Sequence, residues 1–448
     1  MAARQKLFQL ELNEINFEFV QRYGDRGELP NLNGLIAKHG LIETTSENIY
    51  EELEPWIQWV TAHTGLGYAE HGVFRLGDIV EHNHQQIWEW LESYGLTVGA
   101  VSPMNANNKT RAAAFFVPDP WTATAVTGGN TLKALAAAIS EAVNENATSR
   151  FSAGSAIALL RGAAHYGGLT HWLSILSLAA KAASGQPWCK ALILEELLWA
   201  VARRETRAKR PDFVSLFMNA GAHIQHHYMF NSAVYDGPHR NPDWLIAADK
   251  DPILAVYRLY DRILQAIAKE FPEYRLIVAT GLHQNPYPRE CYYWRLKDHA
   301  AFLTMIGCKD FSVQPRMSRD FLVQAGTLAN AAGVAELLAS ARSADGEALF
   351  EIDNRGKDLF VMLVYPKLIA NNTPFTVAGE VHADLRSHVS FVALKNGEHD
   401  GLGYLIDTAE LAQSGLKRVE LRSLPSRIAG HFGLEWPNGF APPDTKAA

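Results

Sequence analysis

The chain has 448 residues, of which 48% are hydrophobic and 20% are charged, and its formal net charge is −7. This composition is typical of a soluble globular protein with a large core. The acidic balance argues against a general nucleic-acid binder, which usually carries a basic face.

Three sequence features indicate a soluble, cytoplasmic protein. Cys189, Cys291 and Cys308 form no CxxC pair and are expected to be reduced, structural thiols. The N-terminal segment MAARQKLFQLELNE becomes charged too early for a secretory signal. The longest apolar stretch, residues 156–183, is interrupted by charged residues and histidines, so we expect no membrane span.

Alternating strands and helices predict the core of an α/β protein. Leu7–Leu12 alternates apolar and polar residues and is predicted to be a strand, and Leu29–Gly40 a short helix that ends at glycine. Further strands are predicted at the positions listed here: Leu96–Val101, Phe213–Met218, Arg275–Thr280, Leu359–Tyr365 and Val389–Leu394. A helix is expected over Pro252–Lys269. The pattern indicates a mainly parallel central sheet flanked by helices.

The middle of the chain is rich in alanine and leucine and shows no strand pattern. Residues 116–205 are therefore predicted to be a helical insertion or cap, between a first part of the core at 1–115 and a second part at 206–448. A structural role for the insertion is favoured over a catalytic one.

Polar residues gather beside four of the predicted strands, where open parallel sheets bind ligands. Asn13 and Glu14 follow the first strand, Asn219 and the segment AGAHIQHHY follow Phe213–Met218, and His283 follows Arg275–Thr280. The segment GEVHADLRSH, with His382, precedes Val389–Leu394. Imidazole and carboxylate groups are common metal ligands, so a shared site is expected. Helical spacing puts His223 and His227 on one face, and His226 is expected to serve packing or the helix surface.

The order of these motifs resembles the alkaline phosphatase superfamily, nearest its nucleotide pyrophosphatase/phosphodiesterase branch. The first strand, LPNLNGLIAKHG and TGLGYAEHG are similar to that family's strand, LPNL helix and TG…HG motif. Asn219 to His223 resembles its D-x-x-x-H metal motif, Thr280 to His283 its strand-end S-D-H, and His382 its last metal histidine. The resemblance covers both ends of the chain but not the helical insertion.

The resemblance implies two divalent ions, usually zinc, and hydrolysis or transfer of a phosphate or sulfate ester by a hydroxyl or modified cysteine nucleophile. This sequence departs from the pattern. Asn13, Asn219 and Leu282 stand where aspartates are expected, and no serine, threonine or cysteine lies between Glu47 and Val60. With three carboxylates missing, two adjacent dications would be poorly compensated.

One ion, held by His223 and His382 with Asn219 or His227, is therefore expected rather than two. Zinc is favoured, and manganese or iron remains open. His283, Asn13 and Glu54 would form the neighbouring half of the site, where they would either bind a second ion weakly or hydrogen-bond the substrate directly. Glu54 is interpreted as a general base, a metal ligand or a covalent nucleophile, or alternatively as a cap of the following helix ahead of Pro55.

Arg75 and Arg295 are candidate residues for binding an anionic substrate, although solvated packing is the favoured role for each. The sequence thus predicts a metal-dependent hydrolase or transferase of a phosphate-containing small molecule, with water or a carboxylate in place of the hydroxyl nucleophile. The alternative is a binding protein that has lost catalysis and holds a nucleotide-sugar or similar anion. Neither requires nucleic acid or a membrane span, and a homo-oligomer is compatible with both.

Overall fold

A computed structural model describes residues 5–144, 152–316, 319–412 and 417–437. The strands are, in chain order, β1 Lys6–Leu12, β2 Ile42–Thr45, β3 Val98–Val101, β4 Phe115–Val117, β5 Phe213–Met218, β6 Tyr274–Ala279, β7 His283–Pro286, β8 Tyr292–Leu296, β9 Phe311–Pro315, β10 Asp320–Ala325, β11 Arg342–Ser343, β12 Phe350–Arg355, β13 Asp358–Leu363, β14 Phe375–Val377, β15 Glu380–His382, β16 Val389–Leu394, β17 Gly397–Asp400, β18 Leu402–Asp407 and β19 Lys417–Glu420.

The α-helices are α1 Phe17–Gly24, α2 Pro30–His39, α3 Pro55–Thr64, α4 Tyr68–His71, α5 Ile87–Ser93, α6 Asn130–Asn144, α7 Ala153–Tyr166, α8 Leu169–Ala183, α9 Cys189–Lys209, α10 Ala220–Tyr228, α11 Pro252–Glu270, α12 His299–Met305, α13 Leu328–Ser340, α14 Leu385–His388 and α15 Leu424–His431. No helix within the described residues has the length and apolar character that crossing a membrane requires.

The chain divides into two compact units. The first contains residues up to Gly237, Pro242–Asn285 and everything from Gly397 onward, and the second contains Pro238–Asn241 and Pro286–Asn396. The main segment of the second unit thus leaves the first unit after β7 and returns to it at β17. These two strands pair with each other.

The first unit is built on an eight-stranded sheet with the order β19-β2-β18-β6-β1-β5-β3-β4. β1 lies between β5 and β6 and pairs with both in parallel, whereas β18 runs antiparallel to its neighbours β2 and β6. The predicted α/β fold with a mainly parallel central sheet flanked by helices is confirmed. Because β1 is buried on both faces, its residues from Leu7 to Leu12 are almost inaccessible to solvent.

Helices α6 to α9 occupy most of the predicted helical insertion. Their buried side chains, among them Leu135 and Trp199, join the same core cluster as Leu10 and Leu216 of the central strands. The longest apolar stretch, residues 156–183, is divided at Gly167 and Gly168 between α7 and α8. In the structure these helices belong to the first unit.

The second unit is formed by small antiparallel sheets and three helices. β13 pairs antiparallel with β10 and β12, and β16 pairs antiparallel with β8. The segments Leu359–Tyr365 and Val389–Leu394 were correctly predicted to contain strands, but their assignment to a mainly parallel core is wrong. Their apolar residues pack within the second unit, and an apolar run does not specify its partner strand.

Candidate functional site

The carboxyl ends of β1, β5 and β6 meet at one edge of the sheet, as expected for neighbouring parallel strands. The backbone N–H of Asn13 donates to the carbonyl of Met218 at 3.0 Å, and that of Glu14 donates to Thr280 at 3.1 Å. The residues that follow β1 are therefore held to both neighbouring strands. Three of the four strand ends singled out from the sequence lie together here.

Three side chains at this edge bring metal-ligand atoms together. Oε2 of Glu14 lies 3.3 Å from Nε2 of His226 and 3.2 Å from Nε2 of His399, and the two imidazole nitrogens are 3.3 Å apart. Among the residues that the structure describes, this is the one group of at least three His, Cys, Asp or Glu residues whose ligand atoms all lie within 4.8 Å of one another. We call it the Glu14–His226–His399 cluster.

The triangle has the dimensions of a metal site. Ligand atoms about 2.0–2.1 Å from a tetrahedral zinc ion lie about 3.3 Å from one another. Two imidazoles and one carboxylate, with a fourth position open, form a donor set found in catalytic zinc sites. Two imidazole nitrogens that approach each other and the same carboxylate oxygen need a cation or shared protons between them. The residues present therefore fit one divalent ion.

Glu14 is held firmly in an uncommon conformation. Its backbone φ is 60°, which residues other than glycine rarely adopt. Its backbone carbonyl accepts from Nε2 of Gln225 at 2.6 Å, and its carboxylate accepts from Asn13 at 2.9 Å and from Gln284. Such strain persists where the surroundings over-determine it, often at functional sites.

The charge state of Glu14 follows from the same surroundings. Burial by itself would raise the pKa of the Glu14 carboxyl, but His399 and then His226 outweigh that effect and hold the pKa well below its ordinary range. Burial, followed by the neighbouring His223 and His226, lowers the pKa of His227 to about 3. Near neutral pH, Glu14 is therefore an anion and His227 is uncharged.

His399 also faces a second carboxylate. Its Nδ1 lies 3.8 Å from Oε2 of Glu54, whose side chain is about one-third exposed. Glu54 occupies the N-cap position of α3 ahead of Pro55, but its side chain makes no capping hydrogen bond. A carboxylate behind a ligating histidine fixes the tautomer and orientation of the ring. The side chain of Glu54 thus lies beside the cluster and does not cap α3.

The predicted ligands Asn13 and Asn219 bind each other. Nδ2 of Asn13 donates to Oδ1 of Asn219 at 2.8 Å, and Oδ1 of Asn13 accepts from the indole of Trp59 at 2.7 Å. Each amide oxygen therefore already accepts a hydrogen bond. Glu11, earlier on the same strand, pairs instead with buried His63 at 3.1 Å.

His223 and His227 pack against each other on α10, with ring centroids 4.9 Å apart, as their spacing predicted. His226, for which packing or a helix-surface role was favoured over ligation, lies on another side of α10, and its ring is part of the cluster. His223 and His227 share one face of α10, whereas the face that carries His226 is directed towards β17 and His399.

His283 binds the carbonyl of Leu402 through Nδ1, and its Nε2 lies 3.0 Å from Oδ1 of Asn285. His382 lies in the second unit, where its ring stacks on Phe375 at 5.0 Å. Arg75 is exposed in the segment after α4, and Arg295 lies on β8 of the second unit. None of these four belongs to the Glu14–His226–His399 cluster.

His399 is the ligand-type residue that the sequence interpretation did not consider. It lies on β17 in NGEHDG, a polar stretch between two apolar strands, and that pattern would have marked it as a strand-end histidine. Gly397 at the start of β17 leaves room for the side chain of Gln284. A Cβ there would come within 2.2 Å of Oε1 of Gln284, the residue that binds Glu14.

No protein-family model matches the sequence, and no curated protein matches it. Similar solved structures include murine ectonucleotide pyrophosphatase/phosphodiesterase 5, with 12% identity, a TM-score of 0.43, and coverage of 96% of this chain and 95% of that chain. The human protein of the same name has 11% identity and a TM-score of 0.45, and the match covers 96% of this chain and 95% of that chain. Phosphonoacetate hydrolase from Sinorhizobium meliloti 1021, in complex with phosphonoacetate, has 11% identity and a TM-score of 0.42, and the match covers 94% of each chain.

These structures include the branch that the sequence motifs resemble. At this level of identity and with TM-scores below 0.5, the likeness carries no argument about function.

Proposed function

We propose that this protein is a metal-dependent hydrolase or transferase of a phosphate-containing small molecule, with one divalent ion held by Glu14, His226 and His399. The observation that carries the proposal is the triangle of ligand atoms with sides of 3.2–3.3 Å. A bound divalent ion, with zinc favoured, would act as a Lewis acid towards a phosphoryl oxygen.

The protein side chains have separate roles in this proposal. Glu14 supplies the anionic ligand and is fixed by Asn13 and Gln284. Glu54 orients His399 through Nδ1, and its partly exposed carboxylate is also the candidate acceptor of a proton from attacking water. Water as the nucleophile accords with the absence of serine, threonine and cysteine from residues 48–59 around Glu54.

One observation favours a second candidate, a binding protein for a phosphate-containing ligand. Asn13 and Asn219, which stand where the resemblance implies carboxylate ligands of a two-ion centre, form a hydrogen-bonded chain with Trp59. A chain that has lost that second ion also loses the charge stabilisation that two-ion hydrolases use. Such a protein would retain the anion-binding site without turnover.

Elemental analysis of protein purified without chelators or affinity metals, combined with hydrolysis of bis(p-nitrophenyl) phosphate and p-nitrophenyl phosphate, tests the proposal. We expect about one metal ion per chain and measurable hydrolysis. His226→Ala and His399→Ala should each lose the metal and reduce turnover at least about 100-fold, because two ligands hold an ion poorly. His165→Ala, which changes an exposed histidine on α7, is the matched control.

His223→Ala separates the two ligand sets. Loss of metal in this variant, with metal retained in His226→Ala, would contradict the cluster and restore the ligand set predicted from the sequence. Wild-type protein that takes up no divalent metal, but binds a nucleotide-sugar without turning it over, would favour the binding-protein candidate.

A further inference from the structure

A cavity of about 680 Å³ lies among helices α8, α9 and α11 of the first unit. It shares no lining residue with the Glu14–His226–His399 cluster. Pockets for small organic ligands typically measure about 300–1,000 Å³. The size of this cavity therefore suits such a ligand.

The inner wall of the cavity is apolar and aromatic. Trp188, Leu192, Trp199, Leu259 and Ile263 line it, and each is no more than 5% exposed. The cavity is partly open to solvent, so this wall faces water. An apolar chain or ring placed against it would remove apolar surface from water, which is favourable.

The lining of the cavity carries an excess of positive charge, although the chain as a whole has a net charge of −7. Four basic residues face two carboxylates, as follows: Lys181, Arg203, Arg258 and Arg262 against Glu196 and Glu270. Lys181 is exposed, and the side chains of Arg258 and Arg262 are 54% and 59% exposed. These three exposed cations form a rim. Arg258 also pairs with Glu28, which lies outside the lining, at 2.7 Å, so the net positive charge of the rim is that of Lys181. Arg258 and Arg262 add further N–H donors for a negatively charged group.

The two carboxylates are neutralised within the protein. Glu196 binds Nδ1 of His171 at 3.2 Å and Arg262 at 2.9 Å, and it accepts from Ser174 at 2.7 Å. Glu270 pairs with Arg203 at 2.6 Å. An incoming anion would therefore not meet an uncompensated acid. Arg262 uses one of its five N–H donors for Glu196, which leaves others for a ligand.

Helix α8 presents both polar and apolar side chains to the cavity, the apolar one being Leu178. His171, Ser174 and Lys181 line the cavity, whereas Leu173 and Leu176 are 60% and 59% exposed. On α7, Ile157 and Leu160 are also at least half exposed. A surface helix usually places its apolar residues inward. Within the cavity, α8 therefore contributes hydrogen-bonding and charged groups beside one leucine, a mixture that suits an amphiphilic ligand.

We propose that this cavity binds an amphiphilic anion, which is an acyl chain or apolar ring that carries one carboxylate or phosphate group. The apolar part contacts Trp188, Leu192 and Trp199, and the anionic group binds the rim cations Lys181, Arg258 and Arg262. This site is separate from the proposed metal centre and requires no metal.

Titration of the full chain with dansyl-undecanoate, followed by its fluorescence, tests the site. We expect saturable binding that dodecanoate and dodecyl phosphate displace. Dodecanol, which has the same chain length but no charge, should compete at least about tenfold more weakly, since charge-assisted hydrogen bonds to arginine are lost. The relative strength of dodecanoate and dodecyl phosphate shows which headgroup the rim prefers.

The double variant Lys181→Ala/Arg258→Ala should raise the Kd for dansyl-undecanoate at least about tenfold, which corresponds to about 1.4 kcal/mol. Both side chains are exposed, so little stability is lost. Lys190→Ala, an exposed lysine on α9 outside the lining, is the matched control. Ala266→Phe should weaken binding independently by filling the cavity.

Circular dichroism and thermal unfolding establish that each variant is folded. Absence of saturable binding to the wild-type chain overturns the proposal. The proposal is also overturned if the double variant and Ala266→Phe bind dansyl-undecanoate with the same affinity as the Lys190→Ala control. If dodecanol and dodecanoate compete equally well, the proposed binding of an anionic group by the rim cations is contradicted.

Discussion

Trp59 donates its indole N–H to Oδ1 of Asn13 at 2.7 Å, and this bond determines which way the Asn13 amide faces. With Oδ1 held, Nδ2 points to Glu14 at 2.9 Å and to Asn219 at 2.8 Å. The reversed amide would set its oxygen against two acceptors. Trp59, fully buried against Phe217, therefore orients a group that touches the proposed metal-binding carboxylate.

Trp59→Phe should lower both stability and metal affinity. A buried acceptor that loses its donor costs about 1–3 kcal/mol, and the released amide can rotate away from Glu14. We expect that loss in urea unfolding and an increase of about three- to tenfold in the metal Kd, measured by chelator competition. The control is Trp56→Phe, which loses an exposed bond to the Phe74 carbonyl. Equal effects of the two substitutions would argue against the orienting role.

Asn13→Asp should destabilise the metal-free protein. The new carboxylate keeps the bond from Trp59 but faces Oε1 of Glu14 and Oδ1 of Asn219 without a donor between them. We expect the melting temperature in EDTA to fall by several degrees, as for a loss of about 2 kcal/mol or more. Added zinc should restore much of this loss by compensating the charge. A melting temperature equal to that of wild type in EDTA would contradict the hydrogen-bond pattern at Asn13.

Glu54→Gln should weaken metal binding by about tenfold, the lower end of the range for loss of a group that orients a ligand. The amide cannot supply the negative charge that holds the Nδ1 proton of His399. Glu51→Gln, an exposed position one turn earlier, controls for general charge effects. Unchanged metal affinity together with lost turnover would instead identify Glu54 as the general base.

Glu195 should make the protein less stable as the pH rises. Burial raises the pKa of its carboxyl from 4.5 to about 8, although it accepts the backbone N–H groups of Asn219 and Ala220. The folded state therefore holds a proton that the unfolded state releases between pH 4.5 and 8. Over this window the free energy of unfolding falls by up to about 1.4 kcal/mol per pH unit.

Glu195→Gln removes this titration, since the amide oxygen can accept the same two N–H groups. Urea unfolding of both proteins at intervals from pH 5 to 9 measures the difference. We expect the stability of the variant relative to wild type to increase towards pH 8 and then to level off. Parallel pH profiles would show that Glu195 does not titrate in this range.

The central fold was predictable because its patterns are local. β1, β5 and β6 are short apolar runs followed by polar residues, and Gly40 ends α2 with a φ of 79°. The second unit was missed because an apolar strand such as Val389–Leu394 looks the same whether its neighbour runs parallel or antiparallel. That choice depends on distant segments, here β8, which local patterns do not identify.

Three of the strand ends predicted to share a site lie together, but the cluster there contains other residues than the predicted ligands. Glu54 lies beside it, whereas Asn13 was favoured over Glu14, and helical spacing favoured a packing role over ligation for His226. The left-handed conformation of Glu14 turns its side chain towards His399, and nothing local in ELNEIN specifies such a φ. His399 arrives by pairing of β17 with β7, a contact between segments more than 100 residues apart.

The same pairing makes the chain modular. Residues 286–396 begin and end at neighbouring strands, one of which carries Gln284 and the other His399. Because the two ends of this segment are adjacent, it can be exchanged or enlarged, or replaced by a short turn, while β7 and β17 keep their register. Changes of length within residues 286–396 should therefore leave the carboxylate of Glu14 and the imidazoles of His226 and His399 in place.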